Sequence, residues 1–402
     1  MHKRFLFWDN PKDAVLVLTF LLMTIGAINV FSASFVEARE TYGNGYHFLF
    51  QYVRAALVGL VPMALVGWYF NYRTWLRFRH LWYAIFLVVL VCVDLFGVTS
   101  KGAQRWLYVG SQSVQPSEFV KLSIILLGAG SLGEFLHSKK PASIFRNPSN
   151  IAFFQAGAFA LLVFLQPDMG TAAIIFALMV GLYIVAGLPK LQLAILLGAS
   201  LAAAAILVAV APYRLARVKI WFDPWQDAAN TGYQVVQALT AIGSGGFFGT
   251  SFGLGTGKFF YLPEAHTDFA FAIFCQEWGF LGASFLIMLF LLLAAAIHRI
   301  ALNTKSASGF LLVTGVNFLI VGQAVTNMAM VCGLLPVIGV PLSFISYGGT
   351  ALIANMIAIG LVVAVYRDET GQESAKQEVA AVFEQRKQEL ANKRTRPRGW
   401  RP

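Results

Sequence analysis

The chain has 402 residues, of which 58% are hydrophobic and only 12% charged, a balance that excludes soluble and secreted enzyme classes. Its formal net charge of +11 would suit nucleic acid, but the basic residues alternate with apolar runs and crowd into the final stretch, as membrane topology requires. Cys92, Cys275 and Cys332 each lie in an apolar run without CxxC or Cys/His spacing, so they read as packing residues rather than a disulfide framework or zinc site.

The fold class read from the pattern is all-α, a polytopic membrane protein of about ten transmembrane helices, each near the roughly 20 residues needed to cross hydrocarbon. The expected spans are 14–35, 48–70, 81–98, 116–136, 151–165, 170–187, 191–211, 268–297, 309–335 and 347–366. The first lacks a small-residue cleavage site and reads as a retained span rather than a removed signal peptide. Gln166-Pro167-Asp168 breaks the fifth from the sixth in a very short turn. Lys3, Arg4 and Lys12, then Arg73, Arg77 and Arg79, then Lys139, Lys140 and Arg146, then Lys190, then Arg299 and Lys305 fall in alternate loops, which assigns those loops and both termini to the cytoplasm. Residues 1–13 form a cytoplasmic N-terminal segment, 14–366 the transmembrane domain and 367–402 a basic cytoplasmic tail.

The long connection, 212–267, falls outside on this alternation, and a connection of that length is usually functional. Arg214, Arg217, Lys219, Trp221, Phe222 and Trp225 suit the headgroup region, so membrane lipids are expected partners. Seven glycines between Gly243 and Gly257 let backbone approach a ligand or move. GLGTGKF (253–259) is not a phosphate-binding loop, because GxxxxGK[ST] needs glycine where Phe252 stands and Ser or Thr where Phe259 stands.

YLPEAHTDF (261–269) concentrates Glu264, His266 and Asp268 beside a span, where each charge costs about 2.5–3.5 kcal/mol unless it lines water or does chemistry. A carboxylate partly withdrawn from water can serve as general base, which makes Asp268 the catalytic candidate. The alternative is that Thr267 or Asp268 caps the helix. Glu264 and His266 could orient the base or hold substrate hydroxyls, or be ordinary turn residues. In KGAQRWL (101–107), Arg105 can grip a diphosphate and Trp106 stack on a sugar, or the two can anchor the interface. In QPSEFVK (115–121), Glu118 and Lys121 share a helix face and either neutralise one another or line a polar cavity. PVIGVPLSFISYGGTA (336–351) predicts broken backbone at membrane depth. Asn29, Asn317, Gln323, Asn327 and Asn355 read as interhelical hydrogen-bond partners.

Together with QPDMGTA (166–172) and GYQVVQALTAIGSGG (232–246), these motifs resemble the SEDS family of peptidoglycan polymerases, comprising FtsW, RodA and SpoVE, over nearly all the spans. FDPWQD (222–227) and PEAHTDF (263–269) are more similar to the FtsW/SpoVE branch. The sequence departs at Gln276, where the family often has the first of two acidic residues, and at Ile338, where some FtsW proteins carry lysine. The resemblance implies an inverting glycosyltransferase in division or cell-shape wall synthesis, joining lipid II units on the outer face of the bacterial cytoplasmic membrane and releasing undecaprenyl diphosphate. Asp268 matches the catalytic aspartate, and Arg105, Lys121 and Lys258 are the cations for the departing diphosphate. A divalent cation, magnesium or manganese, could share that work, although no ligand cluster is evident. A class B penicillin-binding protein is the implied partner. The rival readings are a lipid II flippase and a non-enzymatic scaffold for such a transpeptidase.

Overall fold

Inside hydrocarbon a backbone must satisfy its own polar groups, and long apolar runs do so as helices. The computed structural model describes residues 10–100, 103–109, 112–137, 147–188, 220–259 and 261–371, with isolated positions between 191 and 205. In chain order come α1 (Pro11–Tyr42), α2 (His47–Ala64), α3 (Tyr72–Arg77), α4 (Arg79–Phe96), α5 (Pro116–His137), α6 (Pro148–Leu165), α7 (Met169–Val185), α8 (Tyr233–Gly245), α9 (Ala270–Asn303), α10 (Ala307–Asn317), α11 (Gln323–Val331) and α12 (Gly349–Gly371). Among the described residues, eight helices are long and apolar enough to cross a membrane, with α7 a shorter apolar helix. Each expected span has its helix except 191–211, which lies mostly outside the described residues, as do the C-terminal tail beyond 371 and the basic residues Lys139, Lys140, Arg146, Arg214, Arg217 and Lys219.

Local chemistry sets the ends. Asn10 accepts from the Lys12 N–H, Pro11 opens α1, and Gly43 closes it at a φ of 70°. Pro62 lacks a donor inside α2, and the helix widens into a π turn over Leu65–Tyr69. A second π turn, Phe318–Gly322, joins α10 to α11.

Antiparallel succession gathers the connections at two ends. At one end Tyr72 ties α3 to α12, its N–H donating to Asp368 (3.0 Å) and its hydroxyl to Glu369 (2.6 Å), and Arg79 pairs with Glu134 at 2.5 Å. The opposite end holds the motifs. The loop expected around KGAQRWL is instead a small antiparallel sheet: β1 (Val98–Ser100), β2 (Ala103–Val109) and β3 (Gln112–Val114), with Trp106 opposite Val98 and Leu107 opposite Val114. The long connection contains α8 and a 3-10 turn, Pro224–Asp227. Of its seven glycines between Gly243 and Gly257, Gly245, Gly249, Gly255 and Gly257 press against protein, whereas a Cβ at Gly243, Gly246 or Gly253 would meet open space. A Cβ at Gly245 would lie 2.3 Å from the Cys275 carbonyl, and one at Gly249 2.1 Å from that of Glu277. Gly279, at a φ of 64°, breaks α9 where this loop presses on it.

Candidate active site

Residues 336–348 are the irregular backbone that PVIGVPLSFISYG predicts, with positive φ at Gly339 (65°) and Phe344 (64°). Buried backbone of this kind needs partners from elsewhere, and it finds them on several helices. Gln323 donates to the Pro341 carbonyl (2.9 Å), Asn327 to that of Val340 (2.7 Å) and Tyr52 to that of Phe344 (2.6 Å). The Tyr347 N–H donates to the His266 carbonyl at 2.8 Å. Gln323 and Asn327, four apart on α11, thus share one inward face.

Asp268 sits in the turn before α9, half-buried against this segment. The Asn327 carboxamide that holds Val340 also donates to the Asp268 carbonyl at 2.7 Å, so one side chain clasps both strands of the site. Opposite the carboxylate is bare backbone: a Cβ on Gly339 would lie 3.2 Å from Asp268 Oδ2. Phe269 occupies the cap position of α9 without a side-chain bond, and the Thr267 hydroxyl donates to Glu264 Oε2 at 2.7 Å.

Glu264 takes a φ of 57° and its carbonyl accepts from the N–H groups of Thr267 and Phe269, both at 3.1 Å, which folds the motif into a tight turn. His266 is buried, with Nδ1 3.2 Å from Glu37 Oε2 and its ring 4.4 Å from that of Phe48 and 5.6 Å from that of Tyr347. Tyr347 continues outward, donating to Gln51 at 2.5 Å. Glu37, Gln51 and Tyr347 therefore join the site, although no local pattern in α1 or α2 marks the first two.

Arg105, on β2, donates to the carbonyls of Gln166 (3.3 Å) and Pro167 and lies 3.8 Å from Asp168. It clamps the Gln-Pro-Asp turn, with its side chain still 28% exposed. Asp168 caps α7 through the Thr171 N–H (3.1 Å) and accepts from Gln115 (3.0 Å). The Gln115 N–H in turn donates to Thr350 at 3.3 Å. Trp106 is half-buried in the same strand. Glu118 and Lys121 are 3% and 1% exposed and pair at 2.7 Å, the mutual neutralisation their spacing allows. Lys121 also donates to Gln323 at 2.8 Å, joining that pair to the Pro341 carbonyl.

Lys258 departs from the expected diphosphate contact. It is buried 2.8 Å from Glu277 Oε1 and 3.0 Å from the Ser32 hydroxyl, which itself donates to Glu277 at 2.6 Å. Gln276 likewise holds the glycine loop, accepting from the Gly257 N–H (3.0 Å) and donating to Ser244 (2.8 Å). Asn29 donates to the Ala270 carbonyl (3.1 Å) and Asn317 to that of Ala294 (3.2 Å), as interhelical bonds should. Cys275 packs in the core, whereas Cys332 is exposed. Among the described residues no three His, Cys, Asp or Glu side chains converge on a point, and no step is assigned to a divalent cation.

The family model described as cell cycle protein, covering FtsW, RodA and SpoVE, matches residues 13–371. This chain belongs to the FtsW/RodA/SpoVE family. Stage V sporulation protein E of Bacillus subtilis (strain 168) is 35% identical over 361 residues, spanning 89% of this chain and 97% of that one. A probable peptidoglycan glycosyltransferase FtsW of Thioalkalivibrio sp. (strain K90mix) is 40% identical over 358 residues, 87% of each chain. Among solved structures, a chain of a peptidoglycan synthase complex that coordinates polymerization and crosslinking matches with a TM-score of 0.72 at 27% identity, covering 89% of this chain and 97% of that one. The rod shape determining protein RodA of Thermus thermophilus matches at 0.65 and 27% identity, covering 89% and 96%. The helical bundle of this FtsW/RodA/SpoVE member is thus the family's own.

Proposed function

We propose that this FtsW/RodA/SpoVE member is an inverting peptidoglycan glycosyltransferase that polymerises lipid II, with Asp268 as general base. The observation that carries the reading is the Asp268 carboxylate at the motif end of the bundle, set over bare Gly339 backbone and fixed from behind by Asn327. A base in that position takes the proton of the acceptor sugar's 4-hydroxyl as its oxygen attacks the donor's anomeric carbon. The bond to diphosphate breaks, and undecaprenyl diphosphate leaves with its electron pair. Such help is worth about 10²–10⁴ in rate. Of the three expected cations, Arg105 keeps a part-exposed side chain for the diphosphate, Lys121 acts through Gln323, and Lys258 holds the loop. The motif end faces outward from the cytoplasmic membrane on this reading, because Arg73, Arg79 and Arg367 collect at the other end, paired with Glu369, Glu134 and Asp368 in turn, as cytoplasmic basic residues do. A transpeptidase of the class B penicillin-binding type is the partner proposed.

The test is lipid II polymerisation by purified protein, with and without that transpeptidase. Asp268→Asn should remove polymerisation by at least about 10²-fold while lipid II still binds. Normal polymerisation by the variant would discard the mechanism. A wild-type protein that moves lipid II across vesicles and makes no glycan would replace it with the flippase, and one that does neither with the scaffold.

A further inference from the structure

A concavity of about 370 Å³ is walled by the 3-10 turn, by α8 and by residues 332–337. Its volume is within the range of about 300–1,000 Å³ that pockets for small ligands occupy. The lining mixes aromatic and polar groups. Trp221, Phe222 and Trp225 form one side, and Thr231 and Gln234 contribute a hydroxyl and a carboxamide from the other. Phe222 is 76% and Trp225 60% exposed, so both rings present flat faces that a ligand can cover. Asp223 stiffens the platform by accepting the Trp225 N–H at 3.1 Å. Asp227, held below the usual carboxylate range by hydrogen bonds from Thr231 and Asn230, stays ionised and keeps the turn closed at neutral pH.

A lipid chain would want continuous apolar walls, which Thr231 and Gln234 interrupt. Pyranose rings present what this groove complements: a C–H face that lies on an aromatic ring, and an edge of hydroxyl and acetamido groups that bond to a carboxamide and a hydroxyl. The place fits as well. Val337 lines the groove, and Gly339, next but one along the same strand of chain, faces Asp268. We propose that this groove holds N-acetylhexosamine units of the growing glycan strand, keeping the polymer beside the site between additions. The inference rests on the polymerase reading given above.

Cys332 is an exposed thiol on the groove wall, and it supplies a local reporter. Full-length protein in lipid nanodiscs is alkylated with a maleimide, and the rate at Cys332 is followed by mass spectrometry with and without chitotetraose, a lipid-free chain of N-acetylglucosamine. Chitotetraose should slow labelling several-fold in wild type and in Asp268→Asn alike. Trp225→Ala and Gln234→Ala should lose that protection, whereas Trp225→Phe should keep it, which separates stacking from misfolding. With lipid II as substrate, Trp225→Ala should shorten the glycan strands while the KM for lipid II stays near the wild-type value. Unchanged labelling in chitotetraose overturns the inference, as does protection by the purified transpeptidase alone, which would make the groove a protein-docking surface. A raised KM with strands of normal length also overturns it, since the groove would then serve the incoming lipid-linked sugar. Because protection is read without turnover, its loss is distinguishable from failure of the polymerase reading, which shows as absence of glycan from wild-type protein.

Discussion

Lys258 shows why a charge cannot be assigned a role from its neighbours in sequence. At the end of a glycine-rich stretch it reads as a cation on an open loop, yet its partner is Glu277, on α9 just ahead of the Gly279 break, with Ser32 of α1 completing the set. Removing one member of a buried pair strands the other, at a cost of about 3–5 kcal/mol. Lys258→Met should therefore lower the thermal unfolding midpoint in detergent clearly, and Lys258→Met with Glu277→Leu should recover most of the loss. A double variant no better than the single one would count against the pair as the cause. Asp268 stands out as a candidate for the opposite reason. Its motif is local, and an acidic cluster beside an apolar span announces itself. Its neighbour Gly339, seventy-one positions along the chain, did not, because only the folded chain brings the two together.

At the scale of elements, the π turn Phe318–Gly322 sets the face of α11 that meets the site. One residue of helix is about 100° of rotation. Deleting Ile320 should return α10 and α11 to a single regular helix and swing Gln323 and Asn327 off the carbonyls of Pro341, Val340 and Asp268. Polymerisation should fall at least about tenfold in protein that still inserts and runs as a single species; activity near wild type would show that this register is dispensable. No period in the sequence reveals the turn, because residues 309–335 are apolar nearly all round and a helix without a polar face carries no phase. The small sheet was more legible. AQRWLYV holds the aromatic and β-branched residues of a strand between KG and GSQ turn signals, and the loop reading passed over them.

For the molecule as a whole, the alternation of apolar runs and basic loops located the described spans to within a few residues at most ends, since hydrocarbon thickness and the backbone's need for internal hydrogen bonds leave little choice. What it could not supply was the packing of the motif end, where contacts join residues hundreds of positions apart. Orientation is open to a direct check. In intact spheroplasts, a membrane-impermeant maleimide should label Cys332 at once, whereas a cysteine replacing the exposed Arg77 should label only after permeabilisation. The reverse pattern would turn the proposed topology over.

The double grip of Asn327 gives the bundle a mechanical property. A single amide couples the entrance of α9 to the irregular stretch leading into α12, so leverage applied at the lipid-facing flank of either helix arrives at the Asp268 peptide without any contact at the mouth itself. On the proposed mechanism, an associated protein leaning on that flank would act as a throttle, setting the pace of chain elongation from a distance by nudging the alignment of one carboxylate.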